Sequence, residues 1–163
     1  MGEKKMTSER TVIPENLVLT SGSFLNLLNT LVNTFGSAGE SMIYQMGHEN
    51  GMVFCREVVS KINNEGESLE NLFEMVINSA SQIGWANMVV EEFNPQNGKI
   101  KVVLQDNSFK QFCLRLNMPQ CFFLRGYISG IIKELTNVDY QFSRSECYAH
   151  GDEHCSIRLV AED

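Results

Sequence analysis

No stretch of the 163 residues approaches the roughly 18 consecutive apolar residues that a membrane-spanning helix needs. The opening MGEKKMTSER is charged, so neither a signal peptide nor a membrane anchor is expected from it, and Met6 stands where a myristoylation signal wants Ser or Thr. A cytoplasmic location is the expectation. Basic residues are scarce: 13 Lys and Arg against 20 Asp and Glu leave a formal net charge of −7. They are also scattered, which removes the positive stripe that nucleic-acid phosphates require. Prolines number only three and no repeat or low-complexity tract appears, so nothing marks a linker between domains. Also missing are a G-x-G-x-x-G after a strand, a C-x-x-C pair and an iron–sulfur cysteine run, and GSAGES lacks the lysine and spacing of a phosphate loop. A redox or nucleotide-dependent enzyme therefore has no local signature here.

What is present reads as one domain over residues 21–163 behind an N-terminal arm, 1–20, whose TVIPENLVLTS is a short strand or extended segment. From Phe24 to Phe35 apolar residues recur at three and four, with Ser23 as N-cap and Gly36 as stop. Residues 37–62 predict one long helix or two joined pieces, with Met42, Ile43, Met46, Val53, Phe54, Val58 and Ile62 on one side. Gly47 and Gly51 inside it mean either that another backbone packs close or that the helix breaks near GHENG. Ser68 caps a third helix ending at Gly84. The period then changes to two: WANMVVEEF and KIKVVLQD flank NPQNG as a hairpin, and FKQFCLRL follows as a third strand. Pro119 opens another helix with Gly126 and Gly130 four apart, and VDYQFSRSECY and HCSIRLVA close the chain as strands. The expected fold is α+β, an antiparallel sheet of four to five strands covered by helices on one face.

Chemistry concentrates in SECYAHGDEHCSIRL, where Cys147, His150, His154 and Cys155 fall within nine residues. The five cysteines are an odd number in a reducing compartment, so a disulfide framework is not the default. The cluster either holds a metal, does chemistry, or consists of small core thiols beside two solvated histidines. The seven-residue gap is wider than a zinc knuckle, though a turn at Gly151 can bring both thiols together, and Cys121 at a helix start is a reasonable third donor. Asp152 and Glu153 read as the polar tip of the loop.

Taken together, MPQCFFLRGYISG, MIYQMGHENG and SECYAHGDEHCSIRL resemble the 4-vinyl reductase (hydrocarbon-binding) domain over residues 20 to 160. That family is related in fold to the sensor domains of phenol-responsive transcription activators and to Golgi transport subunits of the TRAPP type. The resemblance implies a zinc ion held by Cys121, Cys147 and Cys155, because the sensors place three cysteines in this pattern, with 26 residues between the first and second positions here. The glutamate that completes their site is replaced by Arg144. Glu146, which shares a strand face with position 144, or His154, His150 or water is left as fourth ligand. Iron is the other ion such thiolates admit.

The resemblance also implies a hydrophobic ligand, and the composition suits one, with eight methionines and ten phenylalanines. Met42, Met46, Met75 and Met88 near Phe73, Trp85, Phe122, Phe123 and Tyr127 can line a cavity or simply form the core. Phe122, Phe123, Tyr127 and Phe142, which bracket the cysteine motif, are the ligand-contact candidates. The phenol sensors anchor their ligand with a histidine and a tryptophan ahead of the zinc-bearing helix. Residues 86–120 contain neither, which favours a more apolar guest such as an isoprenoid, a fatty chain or a tetrapyrrole fragment. The leading expectation is a non-enzymatic, homodimeric sensory module with structural zinc that signals through a separate regulatory partner. The alternatives are a reductase-type or thiol enzyme and a dimeric scaffold resembling the transport subunits. Dimerisation follows from the first helix, which is apolar on more than one side.

Overall fold

The computed structural model describes residues 19–62, 65–107, 109–110, 114, 121–143 and 146–161, the side chains of 106 and 107 excepted. The N-terminal arm and most of the third predicted strand, FKQFCLRL, lie outside the described residues. Of that strand, Lys110 and Leu114 are helical.

The first helix, α1 (Ser21–Phe35), begins one turn earlier than its apolar pattern predicts. Thr20 is the cap, its hydroxyl accepting from the Ser23 N–H at 3.1 Å. Gly36 ends it with φ +55° and donates its N–H to the Val32 carbonyl, so that α2 (Ser37–Lys61) starts at the next residue. The second helix runs unbroken for 25 residues. Its glycines are explained by proximity: α4 (Phe122–Thr136) crosses so close that a Cβ at Gly47 or Gly51 would fall on the carbonyl oxygen of Phe123 or Tyr127. Gly126 and Gly130 of α4 return the fit against the carbonyls of Tyr44 and His48. Tyr44 Oη donates to Ser129 Oγ at 3.1 Å across the same crossing.

This close approach overturns the predicted inner stripe of α2. Gly39, Ile43, Gly47, Gly51 and Cys55 face inward, whereas Met42, Met46 and Val53 are exposed. The α4 residues from Phe123 to Ile132 are buried on every side, which marks α4 as the central helix. The amphipathic α3 (Leu69–Gln82), capped by Ser68, buries Phe73, Val76, Ile77 and Ala80.

Four antiparallel strands, β1 (Ala86–Asn94), β2 (Lys99–Asn107), β3 (Tyr140–Phe142) and β4 (Cys155–Ala161), are ordered β1-β2-β4-β3. The predicted hairpin joins β1 to β2, closed by Asn94 Oδ1 accepting from the Asn97 N–H and by Gly98 at φ +64°. Alternation on β2 and β4 sets the helix-facing side: Ile100 pairs Leu159, Val102 pairs Ile157 and Leu104 pairs Cys155, all buried. Cys155 therefore begins a strand with its thiol on the core side.

Candidate metal centre and ligand cleft

Three elements bring Cys121, Cys147 and Cys155 together. Cys121 is the N-cap of α4, Cys147 precedes a short turn at residues 148–150, and Cys155 opens β4. All three are buried and free of disulfides. Sγ of Cys155 lies 3.9 Å from Sγ of Cys147, and Cys121 hydrogen-bonds to both. Those bonds, from Cys121 first and Cys155 second, drive the Cys147 thiol well below its ordinary value. Cys155 is pushed up, through Cys121 first and then Cys147. One thiolate shared among two thiols is the arrangement.

The loop between the cysteines is built to hold this. Asp152 Oδ2 accepts from the Cys147 N–H at 2.8 Å, and Gly151 turns at φ +89°. The Tyr148 N–H points at Cys155 Sγ, 3.4 Å away, while the Ala149 N–H stabilises the Cys147 thiolate. Tyr148 Oη donates to the Gln105 carbonyl at 2.9 Å, pinning the loop to β2. Asp152 is thus a brace as well as the tip that its polarity predicts.

Two thiolates on a tetrahedral zinc with bonds of about 2.3 Å stand about 3.8 Å apart, close to the Cys147–Cys155 separation. A void of about 10 Å³, the size of a single small ion or water, is lined by the three cysteines with Leu104, Arg125 and Glu146. The donor set and the space suit a soft divalent metal. Even so, among the described residues no group of three or more His, Cys, Asp or Glu side chains stands ready in metal-holding geometry. The reason is visible in the fourth position. Glu146 lies in a loop, not in a strand as the face argument assumes, and its Oε2 accepts from Ser156 Oγ at 2.6 Å. His154 Nε2 is 3.2 Å from the same oxygen, off the hydrogen-bonding direction, and Lys101 Nζ is 3.6 Å from it. The Ser156 bond, foremost, and then Lys101 and His154 hold this carboxylate below its usual range. His150 is exposed on the turn, and position 144 lies outside the described residues.

The four aromatic candidates divide between two sites. Phe122 and Phe142 line a cleft of about 390 Å³ with Arg125 and with Ser37, Ser41 and Tyr44 of α2. The Arg125 guanidinium lies 3.6 Å from the Phe142 ring centroid, and the residue is 8 % exposed. Phe123 and Tyr127 instead face inward, into a cluster with Phe24, Trp85 and Phe109. Adjacent helix positions are turned by about 100°, so Phe122 and Phe123 cannot share a pocket wall. Of the four methionines, Met88 is buried in the core, while Met42 and Met46 lie on the outer surface of α2. Arg125 went unrecognised in the sequence. It lines both the cleft and the thiol void, a role that its position one turn past Cys121 could have signalled.

A helix-covered antiparallel sheet with a cysteine-bearing loop between its last two strands defines the class, an α+β domain of the vinyl reductase and TRAPP-subunit type. Residues 104–161 match the 4-vinyl reductase domain family. That stretch contains all three site cysteines. No curated protein sequence matches the chain. Among solved structures, the phenol-responsive sensory domain of the transcription activator PoxR, determined with phenol, is similar with a TM-score of 0.77 at 19% identity, over 90% of this chain and 76% of that one. A trafficking protein particle complex subunit 3 from Naegleria fowleri, covalently bound to palmitic acid, gives 0.66 at 16%, over 88% and 93%. A vinyl-4-reductase family protein from Methanocaldococcus jannaschii gives 0.53 at 19%, over 91% and 85%. At these identities the likeness is one of fold. No helix among the described residues is long and apolar enough to cross a membrane.

Proposed function

We propose that the protein is a non-enzymatic sensory domain that binds a small hydrophobic or aromatic molecule and is clamped by a structural zinc ion. The observation that carries the reading is the cleft of about 390 Å³ between α2, α4 and β3, within the size range of small-molecule sites, whose Arg125 also lines the thiol void. Cys121, Cys147 and Cys155 would hold the zinc, which supplies a cross-link between helix, loop and sheet. In small zinc peptides such sites contribute an apparent ~10–16 kcal/mol of folding free energy. Phe122 and Phe142 offer flat apolar walls to a ring or chain, and Arg125 orients it. The PoxR domain supports a sensory role by its fold. Four buried free thiols suit the cytoplasm, where cysteines stay reduced.

The domain self-associates in this reading. Leu27 and Phe35 of α1 and Met42, Met46 and Val53 of α2 are 44–54 % exposed, an apolar load heavy for a monomer's surface. A homodimer through α1 and α2 covers them and leaves a separate regulatory protein to receive the signal.

Elemental mass spectrometry on protein purified without added metal or tag tests the clamp. About one zinc per chain is expected, lost together with folding in Cys121→Ser and Cys147→Ser. A well-folded wild-type protein without metal removes the clamp. For the cleft, solvent extraction of denatured protein should release a hydrophobic compound that Phe142→Ala fails to retain. Equal retention by a folded Phe142→Ala variant removes the cleft as the binding site.

A further inference from the structure

Deep in the aromatic cluster two polar atoms make no hydrogen bond: Nε1 of Trp85 and Oη of Tyr127, both shielded from solvent. Tyr127 is 0 % exposed. The two rings stand 6.3 Å apart by their centroids. Burial, foremost, drives the Tyr127 phenol well above its ordinary pKa, nearby Cys55 adds to this, and the Trp85 N–H opposes it. The indole nitrogen therefore faces the hydroxyl without being aligned to it. Native interiors pair almost all buried polar groups, so two orphans at one place mark a partner that is not part of the chain.

The surroundings say what that partner is. From Trp85 the ring centroids of Phe123, Phe24 and Phe109 lie at 5.0, 5.3 and 6.0 Å, and that of Phe54 is 5.6 Å from Tyr127. Several of these distances fall in the looser half of the aromatic contact range, so ring rotation can admit a guest without moving backbone. An indole N–H only donates and a phenol O–H has a proton to give, so one oxygen with two lone pairs satisfies both. A carboxylate is disfavoured, because the described residues around these rings are apolar and Cys55 and Glu57 add unfavourable charge.

We infer that Trp85 and Tyr127 together bind the oxygen of an uncharged, mostly apolar molecule, an alcohol, ketone or ether on an aromatic or alicyclic body, held between the rings of Phe24, Phe54, Phe109 and Phe123. This interior subsite goes beyond the cleft described above, since it uses the opposite face of α4. Trp85 stands one residue before the 86–120 window in which the sequence shows no tryptophan.

Trp85 is the only tryptophan, so its fluorescence reads the site directly. Benzyl alcohol and ethylbenzene have nearly the same shape and differ by one oxygen. Titrated into the full-length protein, the alcohol should shift Trp85 emission saturably, with a dissociation constant at least about tenfold below that of the hydrocarbon. Tyr127→Phe should bring the two to near parity while holding or raising Tm, because it deletes an unpaired polar atom, and Phe142→Ala should leave both affinities unchanged. Equal affinities in the wild type overturn the recognition of oxygen and leave hydrophobic binding intact. No saturable shift with either probe in folded protein overturns the subsite altogether. A fall in Tm for Tyr127→Phe shows that Oη already has a structural partner, such as a buried water, and likewise overturns it. None of these results touches the cleft, whose own readout is the extracted ligand.

Discussion

Alanine at Gly126 sets two effects of opposite sign against each other. Helix propensity alone favours the change by about 1 kcal/mol. Packing opposes it. A Cβ at this position would land on the Tyr44 carbonyl oxygen, with the Tyr44 carbonyl carbon and the His48 nitrogen each at 2.9 Å. All three are backbone atoms of α2, so no rotamer change relieves the clash and the helices must separate by about 1 Å. A gap of that size forfeits a quarter to a half of the dispersion energy of the contacts that it opens. Overpacking of a filled interior costs about 1–3 kcal/mol, and a clash between two backbones belongs at the upper end. The expected net loss is about 2 kcal/mol, read from the urea midpoint with the slope unchanged. Gly22→Ala is the internal control. It lies in α1 with nothing within 4 Å of its added Cβ, so propensity acts alone and stability should rise by up to about 1 kcal/mol. If Gly126→Ala proves neutral or stabilising like Gly22→Ala, the close crossing of α2 and α4 is wrong.

Three further outcomes follow from particular contacts. Arg56 donates to both oxygens of Glu134, at 3.1 and 2.8 Å, and this hydrogen bonding, foremost, lowers the Glu134 pKa from 4.5. Its stabilisation is present above the unfolded carboxyl pKa and disappears as pH falls through the lower folded value. The stability difference between wild type and Glu134→Gln should accordingly be small at neutral pH, shrink with added salt and vanish in acid. Cys55 is 0 % exposed, and burial, with Glu134 adding to it, pushes its thiol up to about 12. Iodoacetamide should leave it unmodified in native protein at mildly alkaline pH and label it on unfolding, as peptide mass mapping would show; rapid native labelling contradicts the buried placement. Asp152→Ala removes the acceptor for the Cys147 N–H and should cost about 1 kcal/mol by thermal melting, comparable to a lost helix cap. An unchanged melting temperature means that the loop does not depend on this brace.

The elements with local punctuation were legible in the sequence. Ser68 caps α3, Gly36 and Gly84 stop helices through positive φ, and the turn after Asn94 closes the hairpin, all within a few residues of the predicted places. The inner face of α2 was not legible, for a physical reason. Its contact surface is backbone, exposed by glycines at every fourth position, so hydropathy points to Met42, Met46 and Val53 on the outside. The gathering of the three cysteines could be anticipated, because Gly151 and Asp152 fold their loop locally and Cys121 caps the adjoining helix. The division of Phe122 from Phe123 required knowing where the helix axis lies. The meeting of Trp85 with Tyr127, far apart in the chain, required the whole packing of β1 against α4.

Arg125 gives the arrangement its logic. Guanidinium groups are seldom buried without a partner that uses their charge and planarity. This one lies on the central helix, one turn from the Cys121 cap, with its face over Phe142 on β3 and its side chain in the walls of both the cleft and the thiol void. A molecule entering the cleft must either stack with this guanidinium or displace it from Phe142, and in both cases the wall of the cysteine cluster responds. In the proposed reading, occupancy of the cleft and of the metal position are then linked through one side chain. Linkage is reciprocal: whatever factor the metal contributes to ligand affinity, the ligand returns to metal affinity. Such coupling needs only the few contacts that α4 already makes, which is why the close glycine crossing matters for function as well as for stability. The crossing fixes the helix against α2, and the single long side chain of Arg125 is left as the adjustable part between two otherwise rigid sites.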